Sequence, residues 1–174
     1  MLRQSSGKPV TASATGRGRI AVYLAALLVV FVDQATKYVI QATIPLYESL
    51  TVIDGFFSLT HVRNPGAAFG FLTQVSPAYR FAFLVTVTLA VIVLIIFFLE
   101  RNREAGAILN AALALVLGGA AGNLIDRVSQ GEVIDFLDFY IGTWHWPAFN
   151  MADSAISVGA FLLIIDMVMR KKKD

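Results

Sequence analysis

Four stretches of this chain, residues 20–40, 81–99, 107–125 and 154–169, are apolar for long enough to cross a lipid bilayer, and nothing else limits its fold as tightly. An α-helix rises 1.5 Å per residue, so ~20 apolar residues cover the ~30 Å of hydrocarbon in a membrane. The first stretch carries Asp33 and Lys37 in its last third. The second has no charge, the third is rich in Ala, Leu and Gly, and the fourth is the shortest. With 57% of 174 residues apolar and 15% charged, an ordinary soluble domain is excluded. The expected fold is a single all-α integral membrane domain of four transmembrane helices, residues 20–174.

Lysine and arginine set the orientation. Arg3, Lys8, Arg17 and Arg19 precede the first span, Arg101 and Arg103 lie between the second and third, and Arg170 to Lys173 follow the fourth. An even number of spans puts all three groups, and both termini, on one side, which is the cytoplasm. Residues 1–19 are Ser/Thr/Gly-rich and read as a disordered cytoplasmic tail. The apolar run after them is too long for a signal-peptide core and has no small-residue cleavage site behind it. The outer side receives residues 41–80 and 126–153. Alternation in Phe56-Phe57-Ser58-Leu59-Thr60-His61-Val62 suggests a short β hairpin or small sheet at the outer interface. Tyr140, Trp144 and Trp146 are of the type that sits at headgroup level.

The absence of cysteine excludes a zinc–thiolate site, a disulfide framework and a cysteine nucleophile. Only two histidines, His61 and His145, are present, and both are assigned to interface or loop structure. There is no HExxH, GxSxG or Walker A pattern. What remains is a set of polar residues at one membrane face: Asp33, Asn64, Asn123, Asp126, Arg127, Asp135, Asp138, Asn150 and Asp153. Each has a plain structural explanation alone. Asp33 and Lys37 are spaced to pair along their own helix. Asn150 and Asp153 fit the start of the fourth helix, with Asn150 as N-cap. Asp126 and Arg127 fit a solvated helix end, and Asp135 with Asp138 an acidic loop. Gly118 and Gly122 make a small-xxx-small face for close helix approach, with Gly119 beside them. Yet ionisable groups at membrane depth cost roughly 2.5–3.5 kcal/mol each and mark function by default. A proton-coupled transporter or channel subunit is the rival to an enzyme, although such acids favour the midplane and repeated halves, and no repeat is visible.

Five ordered boxes carry a resemblance. Asp33-Gln34-Ala35-Thr36-Lys37, Asn64-Pro65-Gly66-Ala67-Ala68-Phe69, Gly122-Asn123-Leu124-Ile125-Asp126-Arg127, Val133-Ile134-Asp135-Phe136 and Phe149-Asn150-Met151-Ala152-Asp153-Ser154 are similar to motifs of the bacterial lipoprotein signal peptidases, also called signal peptidase II. The resemblance implies an aspartic endopeptidase with Asp135 and Asp153 as catalytic carboxylates. Its substrate would be a prolipoprotein, cut just before the diacylglyceryl-modified cysteine. Asn64, Gly66, Asn123, Arg127, Asn150 and Asp33 are then substrate-binding or supporting groups, with Asn123 and Arg127 expected nearest the pair and Asp126 and Asp138 structural. The resemblance further implies a small β platform at the outer, periplasmic face. A monomer in the bacterial inner membrane is expected, with the loop around Asn64 or the segment 136–148 placed to close over the site as a lid. No metal, cofactor or nucleic acid is expected; the partners are the lipid-modified substrate and membrane lipids. Two such carboxyl groups can share one proton, one activating water and the other protonating the carbonyl oxygen. Asp153, in a first helical turn, is expected as the base and Asp135 as the acid.

Overall fold

The computed structural model describes residues 12–66, 75–102 and 106–171, with side chains from Gly18 onward. Four helices form: α1 (Ala12–Thr43), α2 (Pro77–Arg101), α3 (Ala107–Gln130) and α4 (Met151–Lys171). Each contains a segment long and apolar enough to cross a membrane, starting with Gly18–Thr43 in α1. Residues 12–19, expected in an unstructured tail, instead continue α1. A helix already nucleated by a long apolar span propagates at little cost. Side-chain bonds from Arg19 and Tyr23 to Glu100 of α2 also hold this end. The remaining tail residues, 1–11, lie outside the described residues.

α3 is the spine of the molecule. Of its apolar window 56% is buried, against 22%, 11% and 17% for α1, α2 and α4, so α3 packs on protein while the others face outward. Its small residues make this possible. A methyl group at Gly118 would sit 2.6 Å from the Ala26 carbonyl oxygen of α1. At Gly119 it would strike the Ala152 carbonyl oxygen of α4, and at Gly122 it would sit 2.5 Å from Asp33 Oδ2. The Gly118–Gly122 face thus receives α1, and Gly119 lets in the first turn of α4. Val22, Leu99, Leu109, Leu113 and Leu117 fill the layer between α1, α2 and α3.

The chain leaving α1 forms β1 (Ser49–Ile53) and β2 (Phe57–Asn64), and the chain leaving α3 forms β3 (Val133–Ile141) and β4 (Trp144–His145). They join into one antiparallel sheet in the order β1-β2-β3-β4. Both long connections therefore lie at the same end of the helix bundle. The hairpin expected near residues 56–62 is present, but β3 is not an acidic loop. Asp135 faces Val62 and Asp138 faces Ser58 in a paired strand. Residues 136–148, one of the two segments expected to act as a lid, are the rest of β3, the whole of β4 and the chain returning towards α4. Residues 67–74, part of the other, lie outside the described residues. Ile40 of α1 and Ile44 just beyond its end pack with Phe136, Leu59, Leu137 and Met151, and His61 Nδ1 donates to the Ile44 carbonyl oxygen at 2.8 Å. These contacts lock the sheet onto the end of α1.

Candidate active site

Asp135 sits near the start of β3, 2% exposed, because a buried strand places it between the sheet and the helix ends. Asp153 is the third residue of α4. That helix begins with a reciprocal cap: Asp153 N donates to Asn150 Oδ1 at 2.9 Å, and Asn150 N donates to Asp153 Oδ2 at 3.3 Å. The N-x-x-D spacing visible in the sequence is therefore a true helix start, and it carries one of the two carboxylates.

Neutral amides connect the carboxyl groups. Asn150 Nδ2 donates to Asp135 Oδ1 at 2.7 Å, while the same residue caps Asp153. Asn64 Nδ2 donates to Asp135 Oδ2 at 2.8 Å, and its Oδ1 accepts the Gly66 N–H at 2.8 Å. Gly66 has φ 93°, and a Cβ there would collide with Leu84 of α2, so the turn holding Asn64 requires glycine. Asn123 Nδ2 donates to Asp153 Oδ1 at 2.8 Å. Each carboxylate thus accepts hydrogen bonds on both oxygens. Burial, and then the neighbouring Asp153 carboxylate, push the Asp135 carboxyl up to about 7, against the pull of the Asn64 and Asn150 hydrogen bonds and the Lys37 charge. A carboxyl poised there exchanges a proton readily near neutral pH.

Asp33 is buried but does not touch this pair. Its Oδ1 accepts the Ala152 N–H at 2.9 Å, tying α1 to the first turn of α4, and its Oδ2 lies 2.8 Å from Lys37 Nζ. Asp126 is not a solvated helix end: it is 1% exposed, 2.7 Å from Lys37 Nζ, and accepts from Gln34 and the Ile134 N–H. A helix end that starts a buried strand cannot stay hydrated, so its acid is neutralised from α1. Arg127 lines a cavity of about 300 Å³ with Asp153, Asn123, Thr88 and Ile156, and its Nη1 is 3.4 Å from the Asn123 carbonyl oxygen. Of the residues expected nearest the pair, Asn123 bonds Asp153 directly and Arg127 lines the same cavity as Asp153, while Asn64 and Asn150 bond Asp135. Asp138 pairs with His145 at 3.0 Å, at the far end of β3. Lys37 and Gln34 were not among the expected site residues. A lysine buried at membrane depth was the available signal, discounted because Asp33 offered it a local partner.

Among the described residues no group of His, Asp and Glu is arranged to hold a metal ion. Chemically, the site offers one buried carboxyl, Asp135, and one half-buried carboxyl, Asp153, with different surroundings, beside a cavity opening between α2, α3 and α4.

The chain's sequence matches the model of a family described as Signal peptidase (SPase) II over residues 25–169. It is 51% identical over 154 residues to a lipoprotein signal peptidase of Syntrophus aciditrophicus, covering 88% of this chain and 96% of that one. It is 50% identical over 153 residues to one of Geobacter sulfurreducens, covering 88% and 92%. Among solved structures, a bacterial membrane enzyme determined by the in meso method at 2.3 Å resolution superimposes with a TM-score of 0.78 at 34% identity, covering 88% of this chain and 91% of the other.

Proposed function

Because this chain belongs to the signal peptidase II family of membrane proteases, we propose that it removes signal peptides from prolipoproteins with Asp135 and Asp153 as an aspartic dyad. The observation that carries this reading is Asn150, which bonds Asp135 through its amide and caps Asp153 through its carbonyl, holding both carboxyls in one site. In the resting state one proton is shared between them. Asp153, facing the N-terminal dipole of α4, takes a proton from water as the water oxygen attacks the scissile carbonyl carbon. Asp135, raised by its burial to about 7 and so able to carry the shared proton near neutral pH, gives that proton to the carbonyl oxygen. Collapse of the tetrahedral intermediate breaks the C–N bond: the proton held by Asp153 goes to the leaving nitrogen, and one hydroxyl of the intermediate returns its proton to Asp135 as the carboxyl product forms. The pair titrates as a unit.

The substrate class fits the placement of the dyad. A prolipoprotein held by a signal helix and a diacylglyceryl cysteine presents its scissile bond, just before that cysteine, near the membrane surface. The dyad lies where the sheet meets the helix ends, beside a cavity lined by Val87, Val91 and Ile156 that an apolar substrate can enter from the lipid. The distribution of Lys and Arg supports cytoplasmic termini and a periplasmic active site in the bacterial inner membrane. We take the working unit to be a monomer whose partners are the lipidated substrate and membrane lipids.

The test uses purified protein in liposomes and a prolipoprotein peptide carrying diacylglyceryl cysteine, with products identified by mass spectrometry. Cleavage just before the modified cysteine is expected from the unaltered protein, and none from folded Asp135→Asn or Asp153→Asn. Retained turnover in either variant refutes the dyad.

A further inference from the structure

Lys37 is 1% exposed, and its ammonium makes three close contacts: Asp33 Oδ2 at 2.8 Å, Asp126 Oδ2 at 2.7 Å and Asn123 Oδ1 at 3.1 Å. The first two are a charge balance that any buried lysine needs. The third has a different consequence. An ammonium has three donors and no acceptor, so the end of the Asn123 amide that meets it must be the oxygen. Asn150 Nδ2 meets the same oxygen at 3.2 Å. With the carbonyl end fixed, the NH₂ end of Asn123 points the other way and donates to Asp153 Oδ1 at 2.8 Å. A flipped amide would set two donors against the ammonium and an oxygen against a carboxylate.

The three dyad asparagines share this design but differ in what fixes them. Asn64 is held by the Gly66 N–H and Asn150 by the Asp153 N–H, both backbone groups of its own turn. Asn123 sits inside α3, whose backbone N–H groups are used within the helix, so its orientation comes from outside it: from the Lys37 ammonium of α1 and the Asn150 amide before α4. We infer that Lys37 is a positioning residue for the dyad: acting through Asn123, it holds an N–H on Asp153 and so keeps that carboxylate the base. This inference rests on the dyad reading above.

The charged and titratable groups facing Asp153 are Asp33 and Lys37 from α1, Arg127 from α3 and Asp135 from β3, with Asp126 of α3 behind Lys37. Neighbouring β2 brings the neutral Asn64 to Asp135, and α2 lines the cavity with Val87, Thr88 and Val91. Removing Lys37 alone strands two buried carboxylates, so the informative variant is the charge-balanced K37M/D126N. It lowers the local charge by one positive and one negative unit and leaves Asp33 bonded to the Ala152 N–H.

The experiment measures kcat and KM against pH for the unaltered protein, D126N, K37M/D126N, N123A and the triple variant, reconstituted in liposomes with the lipidated peptide. Loss of an oriented donor to the base predicts a ~10–100-fold fall in kcat with little change in KM for K37M/D126N. The acid limb of its pH profile moves to higher pH, while D126N alone stays near the unaltered protein. Because Lys37 acts through Asn123, adding N123A to K37M/D126N costs no further activity. Multiplying effects, or an unmoved acid limb in K37M/D126N, overturns the inference. If K37M/D126N does not fold, K37Q/D126N replaces it: an amide donor is retained, so its acid limb lies nearer the unaltered protein than that of N123A. A limb at the N123A position overturns the inference as well. Absence of cleavage by the unaltered protein would instead defeat the dyad reading, so the two failures are distinct.

Discussion

Gly122 is where α1, α3 and α4 meet the ion network, and replacing it by alanine tests how packing supports the site. The added methyl would sit 2.5 Å from Asp33 Oδ2, 3.1 Å from Asp33 Cγ and 3.4 Å from Ala152 Cβ. A carbon and an oxygen that are not bonded rest at ~3.3 Å or more, so the overlap is ~0.8 Å. Asp33 has little freedom to yield, because it bonds the Ala152 N–H and the Lys37 ammonium, with Gln34 Nε2 a further 3.2 Å away. Overpacking of this kind costs ~1–3 kcal/mol. Weakening one hydrogen bond to a charged group adds ~1.5–3 kcal/mol, and the gain in helix propensity returns ~1 kcal/mol. Gly122→Ala is therefore expected to lose ~1.5–5 kcal/mol and, through the displaced Lys37 and Ala152, to lower kcat in the folded fraction. Gly118→Ala provides the comparison. It overpacks against Val29 and the Ala26 carbonyl, away from any charge, and should lose stability while kcat holds. Gly18→Ala, with nothing within 4 Å, should be neutral or slightly stabilising. Denaturant unfolding in detergent, followed by helical circular dichroism, gives the stabilities, and the cleavage assay gives kcat. If Gly122→Ala is as stable as Gly18→Ala, or loses no more activity than Gly118→Ala, the argument that Asp33 is held rigidly against α3 is wrong.

Two further outcomes follow from buried charge. The Asp135 carboxyl, moved from 3.8 to about 7, keeps its proton in the folded protein where the unfolded chain has lost it, so this contribution is complete below pH 3.8 and disappears as pH rises through 7. Asp135→Asn, always neutral, should match the unaltered protein near pH 4 and exceed it at pH 8 by on the order of 4 kcal/mol, three units at ~1.4 each. Unfolding midpoints measured across that range check the sign, and equal midpoints at pH 8 would defeat it. Lys37→Ala leaves Asp33 and Asp126 buried without their cation and should lose ~3–5 kcal/mol. Adding Asp126→Asn should recover much of that in the same unfolding assay.

What the sequence revealed depended on how local each signal was. The four spans follow from hydropathy alone, and the cap formed by Asn150 and Asp153 follows from residues three apart. The pairing of Lys37 with Asp33 follows from a helical i,i+4 spacing. The second partner of Lys37 did not, because Asp126 is far along the chain and reaches it only when α1 packs on the glycine face of α3. β3 was hidden for a related reason. Its sequence, Val-Ile-Asp-Phe-Leu-Asp-Phe-Tyr-Ile, lacks strict alternation, because its first four residues are all buried. Asp135 consequently read as one acid among several in a loop. The order of the asparagines was also beyond reach: Asn64 touches Asp135 through the register of β2 on β3, which the spacing of neither segment encodes.

The choice of asparagine at three positions around the dyad has a physical reason. A cation in direct contact would hold either carboxylate ionised and weaken it as a base, while an apolar neighbour would leave both oxygens unsatisfied. A primary amide donates a hydrogen bond without a full charge, so the pair can retain a single proton between its members. Interposing Asn123 between Lys37 and Asp153 goes one step further. The ammonium is one amide removed from Asp153, the base in the proposed mechanism, and meets the oxygen of the amide whose nitrogen donates to that carboxylate. Moving Lys37 into direct contact would be expected to improve stability and slow the reaction. The buried position of this lysine in α1, balanced by Asp33 and Asp126, is thus part of how α1 serves a site whose two carboxylates it never touches.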